Sequence, residues 1–174
     1  VEVSTFRRMI DAVDAQTDEH GRLLRDNEFG DQGQDAARRD FTANALFFDP
    51  STQEIFDFHH GYADIRANLL RMIGDPATRY REDPVRIIRA VRFAAKLSAL
   101  GFKLEPKTAA PLVKSHELLA DVPQSRLFDE MLKLLQTGHA LASIEQLKLL
   151  GLARGIYPLL DVVVERGESS FVKS

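Results

Sequence analysis

The sequence predicts an α+β protein whose first part combines strands with helices and whose second part is helical. Two observations support this prediction. Short runs of β-branched and aromatic residues, bounded by turn residues, occur before Tyr62. From Tyr62 to about Leu160, apolar residues recur with the spacing of helices that are interrupted at glycines and prolines. The chain has 174 residues, 44% of them hydrophobic, which is enough for a buried core.

The elements of the first part are predicted in chain order. Residues 1–6 alternate between apolar and polar side chains, which predicts the later part of a strand. Further chain is expected before it. Residues 11–34 are polar and rich in Asp, Gln and Gly, which predicts a long loop. A helix is predicted for residues 35–46, followed by a hairpin over 47–57 that turns at Asp49-Pro50-Ser51.

The second part contains a series of predicted helices. Glycines and prolines separate them, because these residues interrupt helices. In chain order, the predicted helices cover residues 62–70, 83–97, 106–119, 123–135, 139–149 and a short segment near Ala153. The tail, residues 165–174, shows no strong pattern.

The composition excludes several kinds of site. The chain has no cysteine, which excludes disulfide frameworks, thiolate zinc sites and cysteine nucleophiles. No run approaches the roughly eighteen apolar residues of a membrane span, so no membrane partner is expected and a cytoplasmic location is the default. The net charge of -3 hides a concentration of arginines between residues 66 and 92, which predicts a phosphate-binding surface or a solvated helix face with internal ion pairs.

The run over residues 82–93, Glu-Asp-Pro-Val-Arg-Ile-Ile-Arg-Ala-Val-Arg-Phe, predicts a helix with polar chemistry on one face. Asp83 is predicted as its N-cap, followed by a proline at the first helical position. Helical spacing places Arg86, Arg89 and Phe93 together, opposite an apolar stripe. Guanidinium groups beside an aromatic ring and an acidic helix start can bind a base edge and hold phosphates.

A plainer interpretation also fits this helix. Asp83 caps it and pairs with Arg86 at i,i+3 spacing. Arg89 and Arg92 then stay in solvent. This interpretation does not account for the two arginines in the preceding run, residues 79–82, because like charges are disfavoured near a helix N-terminus. Such crowding favours an anionic ligand.

The run over residues 38–45, Arg-Arg-Asp-Phe-Thr-Ala-Asn-Ala, carries a second group of polar side chains. In a helix, Asp40 and Asn44 lie one turn apart and share a face. Side by side they can bind hydroxyls or a base edge, while Arg38 and Arg39 are available for phosphate. The alternative is a surface ion-pair cluster at a helix N-terminus.

Three runs in this order, RRDFTANAL (38–46), DFHHG (57–61) and EDPVRIIRAVRF (82–93), resemble three successive motifs of the class II nucleotidyltransferases. That family comprises bacterial CCA-adding enzymes and bacterial poly(A) polymerases. The resemblance covers most of the chain. It implies that residues 1–73 are the C-terminal part of a polymerase-β-like head domain and that residues 74–174 form an all-α neck and body that binds the base and RNA.

The resemblance also implies roles for single residues. The RRD run contacts the triphosphate and ribose, and the EDxxR run selects the incoming base through contacts to its edge. The DFHHG run acts as a hinge, in which His60 stands in the place of a first glycine. The residues implied are, for the nucleotide, Arg38, Arg39, Asp40, Asn44, Glu82, Asp83, Arg86, Arg89 and Arg92 and, for the hinge, Asp57 and Gly61.

Catalysis in this family is two-metal nucleotidyl transfer, in which carboxylates hold Mg²⁺ ions that activate a 3′-hydroxyl and neutralise the departing pyrophosphate. The expected Asp-x-Asp pair does not occur between Val1 and Ser174, so the main metal ligands are expected outside this chain. Glu2 is a candidate third carboxylate, and an ordinary solvent-facing strand residue is the equal alternative. The segment alone is expected not to catalyse nucleotide addition, while retaining nucleotide and RNA contacts.

Three functions are compatible with the resemblance. The favoured one is polyadenylation, the addition of AMP from ATP to RNA 3′ ends, because several stretches are similar to the poly(A) polymerase branch, notably Pro84 and Arg126-Leu127-Phe128. CCA addition to tRNA is the first alternative. The second is a non-catalytic RNA-binding helical module that predicts salt-sensitive binding without nucleotide preference. Its phosphate contacts would be Arg38, Arg79, Arg81 and Arg86.

Overall fold

The structure is a computed structural model that describes residues 3–9, 28–120, 122–150 and 152. With the boundary between the two parts placed at residue 73, the elements of the first part are α1 (Gln32–Arg38), β1 (Leu46–Asp49), β2 (Glu54–Asp57), α2 (Gly61–Arg66) and β3 (Leu69–Leu70). Those of the second part are α3 (Pro76–Glu82), α4 (Val85–Leu97), β4 (Lys103–Leu104), α5 (Pro106–Ala109), α6 (His116–Ala120), α7 (Gln124–Gln136) and α8 (Ala140–Leu149). The predicted α+β class is confirmed. Among the described helices, none is long and apolar enough to cross a membrane.

The hairpin of β1 and β2 forms where the sequence predicts it. The strands are antiparallel, with Leu46 opposite Asp57 and Asp49 opposite Glu54. The turn is stabilised by Asp49, whose Oδ1 accepts from the backbone N of Ser51 (2.8 Å) and from its hydroxyl (2.6 Å). This is the local side-chain bond that makes Asp and Ser favourable in turns.

The helix predicted for residues 35–46 is displaced towards the N-terminus. It begins at Gln32, inside the predicted loop, because Asp31 and Gln34 form a capping box with bonds of 2.7 and 2.9 Å. It ends at Arg38, and Arg39 is already extended. The prediction is therefore wrong beyond Arg38.

The chain beyond α1 leaves the helix because it pairs with the segment that follows β3. Thr42 N donates to Arg71 O (3.0 Å), and Asp40 O accepts from Ile73 N (3.0 Å). These tertiary hydrogen bonds satisfy backbone groups that a longer helix would have satisfied internally. Asp40 and Asn44 consequently do not share a helix face, and that expectation is wrong.

The start of the chain forms no strand among its described residues. Residues 3–6 lie outside any ladder, and Arg7 makes a single antiparallel bridge with Phe29. The predicted strand is therefore wrong for residues 3–6. Glu2 and residues 11–27 of the predicted loop lie outside the described residues.

Helix α3 is absent from the sequence-based prediction, although its start carries clear signals. The Asp75 side chain accepts from Thr78 N (2.8 Å), and Pro76 occupies the first helical position. Because α3 extends to the residue before Asp83, Asp83 ends α3, and the N-cap of α4 is Pro84. The predicted N-cap role of Asp83 is wrong.

The remaining helices follow the predicted spacing with two interruptions. Helices α4, α7 and α8 lie within a residue or two of their predicted ranges. The predicted helix 62–70 stops at Arg66, and β3 then pairs in parallel with β4, so the second part is not purely helical. The predicted helix 106–119 is broken by a 3₁₀ turn at Pro111, which lacks the N–H that a helix requires. The helix predicted near Ala153 lies outside the described residues.

One apolar core joins both parts of the chain around α4. Ile87, Ile88 and Val91 of α4 are buried in it, as the predicted apolar stripe requires. Phe41 and Met72 pack into the same core from the first part. The core therefore contains residues from both sides of residue 73. The division into domains 1–73 and 74–174 stays a prediction.

Candidate functional site

Asp40 lies at the centre of the site, where the two arginine-rich runs meet. Arg86 Nε donates to Asp40 Oδ1 (3.0 Å), and Arg89 Nη1 donates to Asp40 Oδ2 (3.2 Å). The side chains of Asp40 and Arg86 are only 13% and 10% exposed. A buried carboxylate needs such partners, because an unpaired charge is costly to remove from water. The structure thus joins the two motifs by buried ion pairs.

The guanidinium of Arg86 is held on three sides. Besides Asp40, it donates from Nη1 to the carbonyl oxygen of Arg79 (2.9 Å) and, at the limit of hydrogen bonding, to Glu82 Oε2 (3.5 Å). Within the described residues, Nη2 of Arg86 makes no hydrogen bond. Arg86 therefore retains donors for a ligand while its geometry is set by the protein.

Arg79 supports the backbone and is not available to an anion. Its Nη2 donates to the carbonyl oxygens of Arg38 (3.1 Å) and Arg39 (2.9 Å). Burial, together with the nearby charge of Arg86, lowers the pKa of Arg79. Arg79 and Arg81 also lie in the last turn of α3, where the helix dipole favours cations. Charge crowding in this run therefore does not indicate an anionic ligand. The hydrogen bonds from Arg79 to two backbone carbonyls argue against the phosphate contact expected of this residue.

Glu130 of α7 completes the cluster, and sequence reasoning missed it. Its side chain is 4% exposed and forms ion pairs with Arg89 (3.4 Å), Arg92 (3.4 Å) and Lys133 (3.0 Å). Burial raises the pKa of Glu130, but the hydrogen bond from Lys133 and the charges of Arg89 and Arg92 outweigh burial, so the pKa is lowered. Arg89 therefore bridges Asp40 and Glu130, and it does not stay in solvent.

A signal for Glu130 is present in the sequence. Leu127, Met131 and Leu134 mark the core-facing stripe of α7, and Glu130 falls on the same stripe at helical spacing. A charged residue at such a place is almost never buried without partners. It can be recognised as a candidate for an ion-pair site before its partners are known.

Asp83 faces α7. Arg126 Nη2 lies 3.0 Å from Asp83 Oδ1 and 3.1 Å from Asp83 Oδ2. The neighbouring Glu82 is more exposed and faces Arg79 and Arg86 at 3.5 Å each. Glu82, Asp83 and Arg86 therefore lie together at the junction of α3 and α4, and their base-reading role stays a prediction.

Arg38 and Arg39 share one buried carboxylate, that of Asp35. Arg38 Nε (2.8 Å) and Arg39 Nε (3.0 Å) donate to it. Burial raises the pKa of Asp35, but these hydrogen bonds and one from the backbone of Arg7 lower it below its usual range. The side chains of Arg38 and Arg39 remain 34% and 39% exposed, so they carry positive charge at the surface. Asn44, in contrast, turns back to accept from the backbone N of Phe41 (3.3 Å), so its side-chain oxygen caps the local turn.

The DFHHG run connects the end of β2 to the start of α2. Asp57 accepts from Gly61 N (2.8 Å) and Tyr62 N (3.0 Å). Burial raises the pKa of Asp57, but these backbone hydrogen bonds lower it. His60 adopts the left-handed conformation, with φ of 59°, that glycine usually supplies. Gly61 lies against the carbonyl of Thr42, so this run docks on the RRDFT segment.

The described residues do not form a fitting site for Mg²⁺. In the described part of the chain, no group of three histidine or acidic side chains is close enough to hold a metal ion. The central carboxylates, Asp40 and Glu130, already face arginines. Glu2 lies outside the described residues, so its predicted role stays a prediction.

Glu130 is expected to contribute to the free energy of unfolding in a way that depends on pH. Its pKa is lowered from an ordinary value of 4.5, so the stabilisation is complete above about pH 4.5 and is lost as the pH falls through the folded-state pKa. The difference in unfolding free energy between wild type and Glu130→Gln should therefore shrink between about pH 7 and about pH 3. Urea unfolding at both pH values measures this difference.

The matched control for this experiment is Glu145→Gln, which removes an exposed carboxylate from α8. It is expected to change the unfolding free energy little, because the replaced side chain is exposed. Asp35 and Asp57, whose pKa values are also lowered, titrate in every variant and cancel in the comparison. An equal difference for Glu130→Gln at both pH values would contradict the expectation.

Two family models match the chain. One is described as "Poly A polymerase head domain" and covers residues 1–71, and the other is described as "Probable RNA and SrmB- binding site of polymerase A" and covers residues 101–163. The chain is 44% identical to Poly(A) polymerase I of Haemophilus influenzae over 99% of this chain and 38% of that protein. It is 42% identical to Poly(A) polymerase I of Salmonella typhi over 98% of this chain and 37% of that protein.

CCA-adding proteins are similar over a shorter part. The chain is 40% identical to the Multifunctional CCA protein of Xanthomonas campestris over 75% of this chain and 32% of that protein. Among solved structures, the Bacillus stearothermophilus CCA-adding enzyme in complex with CTP superposes with a TM-score of 0.63 and 36% identity, covering 72% of this chain and 31% of that one. The complex of a CCA-adding enzyme with ATP gives a TM-score of 0.62 and 29% identity, covering 72% of this chain and 30% of that one. The chain spans 38% or less of the curated relatives named here.

Proposed function

Because the chain belongs to the family of bacterial poly(A) polymerases and CCA-adding enzymes, we propose that it is the nucleotide-reading part of an enzyme that adds AMP from ATP to RNA 3′ ends. The observation that carries this proposal is the buried contact of Asp40 with Arg86 and Arg89. It brings the RRD run, which would hold the triphosphate and ribose, beside the EDxxR run, which would read the base.

The base-reading step follows from hydrogen-bond chemistry. Asp83 offers carboxylate acceptors, and Arg86 has an Nη2 group that makes no hydrogen bond to a described residue. Adenine presents an amino donor beside a ring-nitrogen acceptor, which complements this pair. Guanine and uracil present a carbonyl acceptor beside a ring N–H. Their carbonyl oxygen would face the Asp83 carboxylate, so two acceptors would lie against each other. The pair therefore favours ATP and CTP over GTP and UTP.

Arg38 and Arg39 are proposed to bind the triphosphate. Both are partly exposed, and together they carry two positive charges against the single charge of Asp35. Guanidinium groups suit phosphate oxygens because they donate in a planar fork. Asp40 would contact the ribose through its remaining lone pairs, while its arginine partners keep it in place.

Adenine addition is favoured over CCA addition by the extent of similarity. The poly(A) polymerases are 42–44% identical over nearly the whole chain, whereas the CCA protein named above matches 75% of it. RNA is the proposed acceptor, supported by the match of residues 101–163 to an RNA-binding family model. We assign the metal-dependent transfer step to carboxylates outside the described residues, and propose a cytoplasmic enzyme.

The choice of nucleotide tests the proposed function. The complete protein is expected to add only AMP to an RNA primer, and to a tRNA that lacks its CCA end. Sequential incorporation of CMP and then AMP on that tRNA would instead identify a CCA-adding enzyme. Each nucleotide is supplied separately and the products are resolved by length.

Asp83→Ala is expected to weaken base selection more than RNA binding. Loss of one charge-assisted hydrogen bond should reduce the preference for ATP over UTP by on the order of tenfold. RNA affinity, set by phosphate contacts elsewhere, should change much less. Asp129→Ala is the control, because Asp129 is an exposed carboxylate of α7. Unchanged ATP preference in Asp83→Ala would contradict the base-reading role and support the RNA-binding module.

A further inference from the structure

Arg71 lies outside all three motifs and joins two buried carboxylates. Its Nε donates to Oδ2 of Asp64 in α2 (3.0 Å), and its Nη1 donates to Glu105 Oε1 (3.3 Å). The side chains of Asp64 and Glu105 are only 9% and 10% exposed. Two buried negative charges, which are costly without partners, therefore face the single positive charge of Arg71.

The contact with Asp64 leads to the RRD run. Thr42 donates from its hydroxyl to Asp64 Oδ2 (2.7 Å) and from its backbone N to the carbonyl oxygen of Arg71 (3.0 Å). Thr42 is buried and lies two residues after Asp40. Arg71 therefore holds this segment twice, through its own backbone and through Asp64.

The contact with Glu105 leads to α3. Glu105 Oε2 accepts from the backbone N of Thr108 (2.8 Å) and from its hydroxyl (3.0 Å). The carbonyl oxygen of Thr108 in turn accepts from the hydroxyl of Tyr80 (3.0 Å), which is buried in α3. Because α3 ends at Glu82, this chain of hydrogen bonds connects Arg71 to the helix that carries the base-reading junction.

The guanidinium group suits this position because its donors form a rigid fork. Nε and Nη1 donate to two different carboxylates, and the planar group fixes the separation of those carboxylates. The neighbouring backbone pairing is short, since β3 and β4 pair over only two residues each. The hydrogen bond to Asp64, with the charges of Asp64 and Glu105, outweighs burial and raises the pKa of Arg71, so the fork stays charged.

We propose that Arg71 is a positioning residue for nucleotide addition, which sets the distance between the RRD run and the base-reading junction. This inference rests on the proposed function. ATP would contact both places at once, with its triphosphate at the RRD run and its base at the junction. A ligand that spans two places binds tightly only when their separation matches its length, whereas a ligand at one place does not sense that separation.

The test compares ATP with two of its fragments in the complete protein. Addition of AMP to an RNA primer gives KM for ATP. Competitive inhibition of that reaction gives Ki for 9-methyladenine, which presents the base, and for inorganic tripolyphosphate. Arg71→Lys, which keeps the charge but not the fork, is expected to raise KM for ATP by on the order of tenfold, the scale of one charge-assisted hydrogen bond. Both Ki values should stay within about twofold of wild type.

Glu105→Gln is a second variant that interrupts the same connection. It removes the charge that faces Arg71 but keeps an amide oxygen that can accept from Thr108. It should also raise KM for ATP while leaving both Ki values near those of wild type. Arg66→Lys is the matched control, because it makes the same exchange at an exposed position in the last turn of α2. It should leave all three constants at their wild-type values.

Two results would overturn the role of Arg71. One is a wild-type KM for ATP in both Arg71→Lys and Glu105→Gln. The other is an equal rise of KM and of both Ki values, which indicates a general loss of structure. Either result leaves the proposed function standing if the wild-type protein adds only AMP. Addition of CMP and then AMP by the wild-type protein to a tRNA that lacks its CCA end would refute the proposed function itself.

Discussion

Replacing Asp40 with alanine is expected to lower the free energy of unfolding by about 3–5 kcal/mol and to abolish nucleotide addition. Arg86 is buried and Arg89 is partly buried, and both donate to the Asp40 carboxylate. Without it, two positive charges remain close together in a poorly hydrated place. Removal of one partner of a buried ion pair costs far more than the net contribution of the intact pair.

Urea-induced unfolding followed by circular dichroism measures the loss of unfolding free energy in Asp40→Ala. Asp40→Asn keeps the shape and two acceptor lone pairs but removes the charge, so it should fall between wild type and alanine. Asp129→Ala, an exposed carboxylate of α7, should change stability by no more than about 0.5 kcal/mol. A similar small change for Asp40→Ala would show that the arginines find other partners and that Asp40 does not organise the site.

Gly61→Ala has the second large expected effect, a destabilisation of about 3 kcal/mol. A methyl group on Gly61 would overlap the carbonyl oxygen of Thr42. Thr42 cannot move away cheaply, because its N–H donates to Arg71 O (3.0 Å) and its hydroxyl donates to the buried Asp64 (2.7 Å). Displacement of Thr42 would also shift Asp40, two residues earlier, so nucleotide addition should fall as well.

Gly33→Ala is the matched control for this substitution. Gly33 lies in the first turn of α1, as Gly61 lies in the first turn of α2. An added methyl at Gly33 would make ordinary contacts of 3.5 Å with Asp31 and 3.6 Å with Phe58. Gly33→Ala should therefore stabilise the protein by about 0.5–1 kcal/mol, through lower entropy of the unfolded chain. Equal effects of the two substitutions would contradict the proposed close approach of Gly61 to Thr42.

Several elements could be predicted because their signals are local. The hairpin of β1 and β2 depends on alternating side chains and on Asp49, whose bond to Ser51 spans two residues. Helices α4 and α7 follow from apolar spacing at 3.6 residues per turn. The signals that were overlooked are also local, namely the capping box at Asp31 and the capped start of α3 at Asp75.

The predicted helix over residues 35–46 failed for a different reason. Helical periodicity continues past Arg38, but Thr42 and Asp40 pair with backbone groups that lie 29 and 33 residues further along the chain, at Arg71 and Ile73. Tertiary hydrogen bonds override a weak local propensity. As a result, Asn44 and Asp40 do not share a helix face, and Asn44 binds the backbone of Phe41 instead.

The family and the motif residues could be predicted from the sequence, because they depend on residue identity and short-range spacing. Which charges face one another depends instead on the tertiary structure. Asp40 meets Arg86 and Arg89 across 46 and 49 residues, and Glu130 and Arg126 reach the same site from α7. A buried charge must find a partner, but nothing local specifies which one, because the choice depends on how the helices pack.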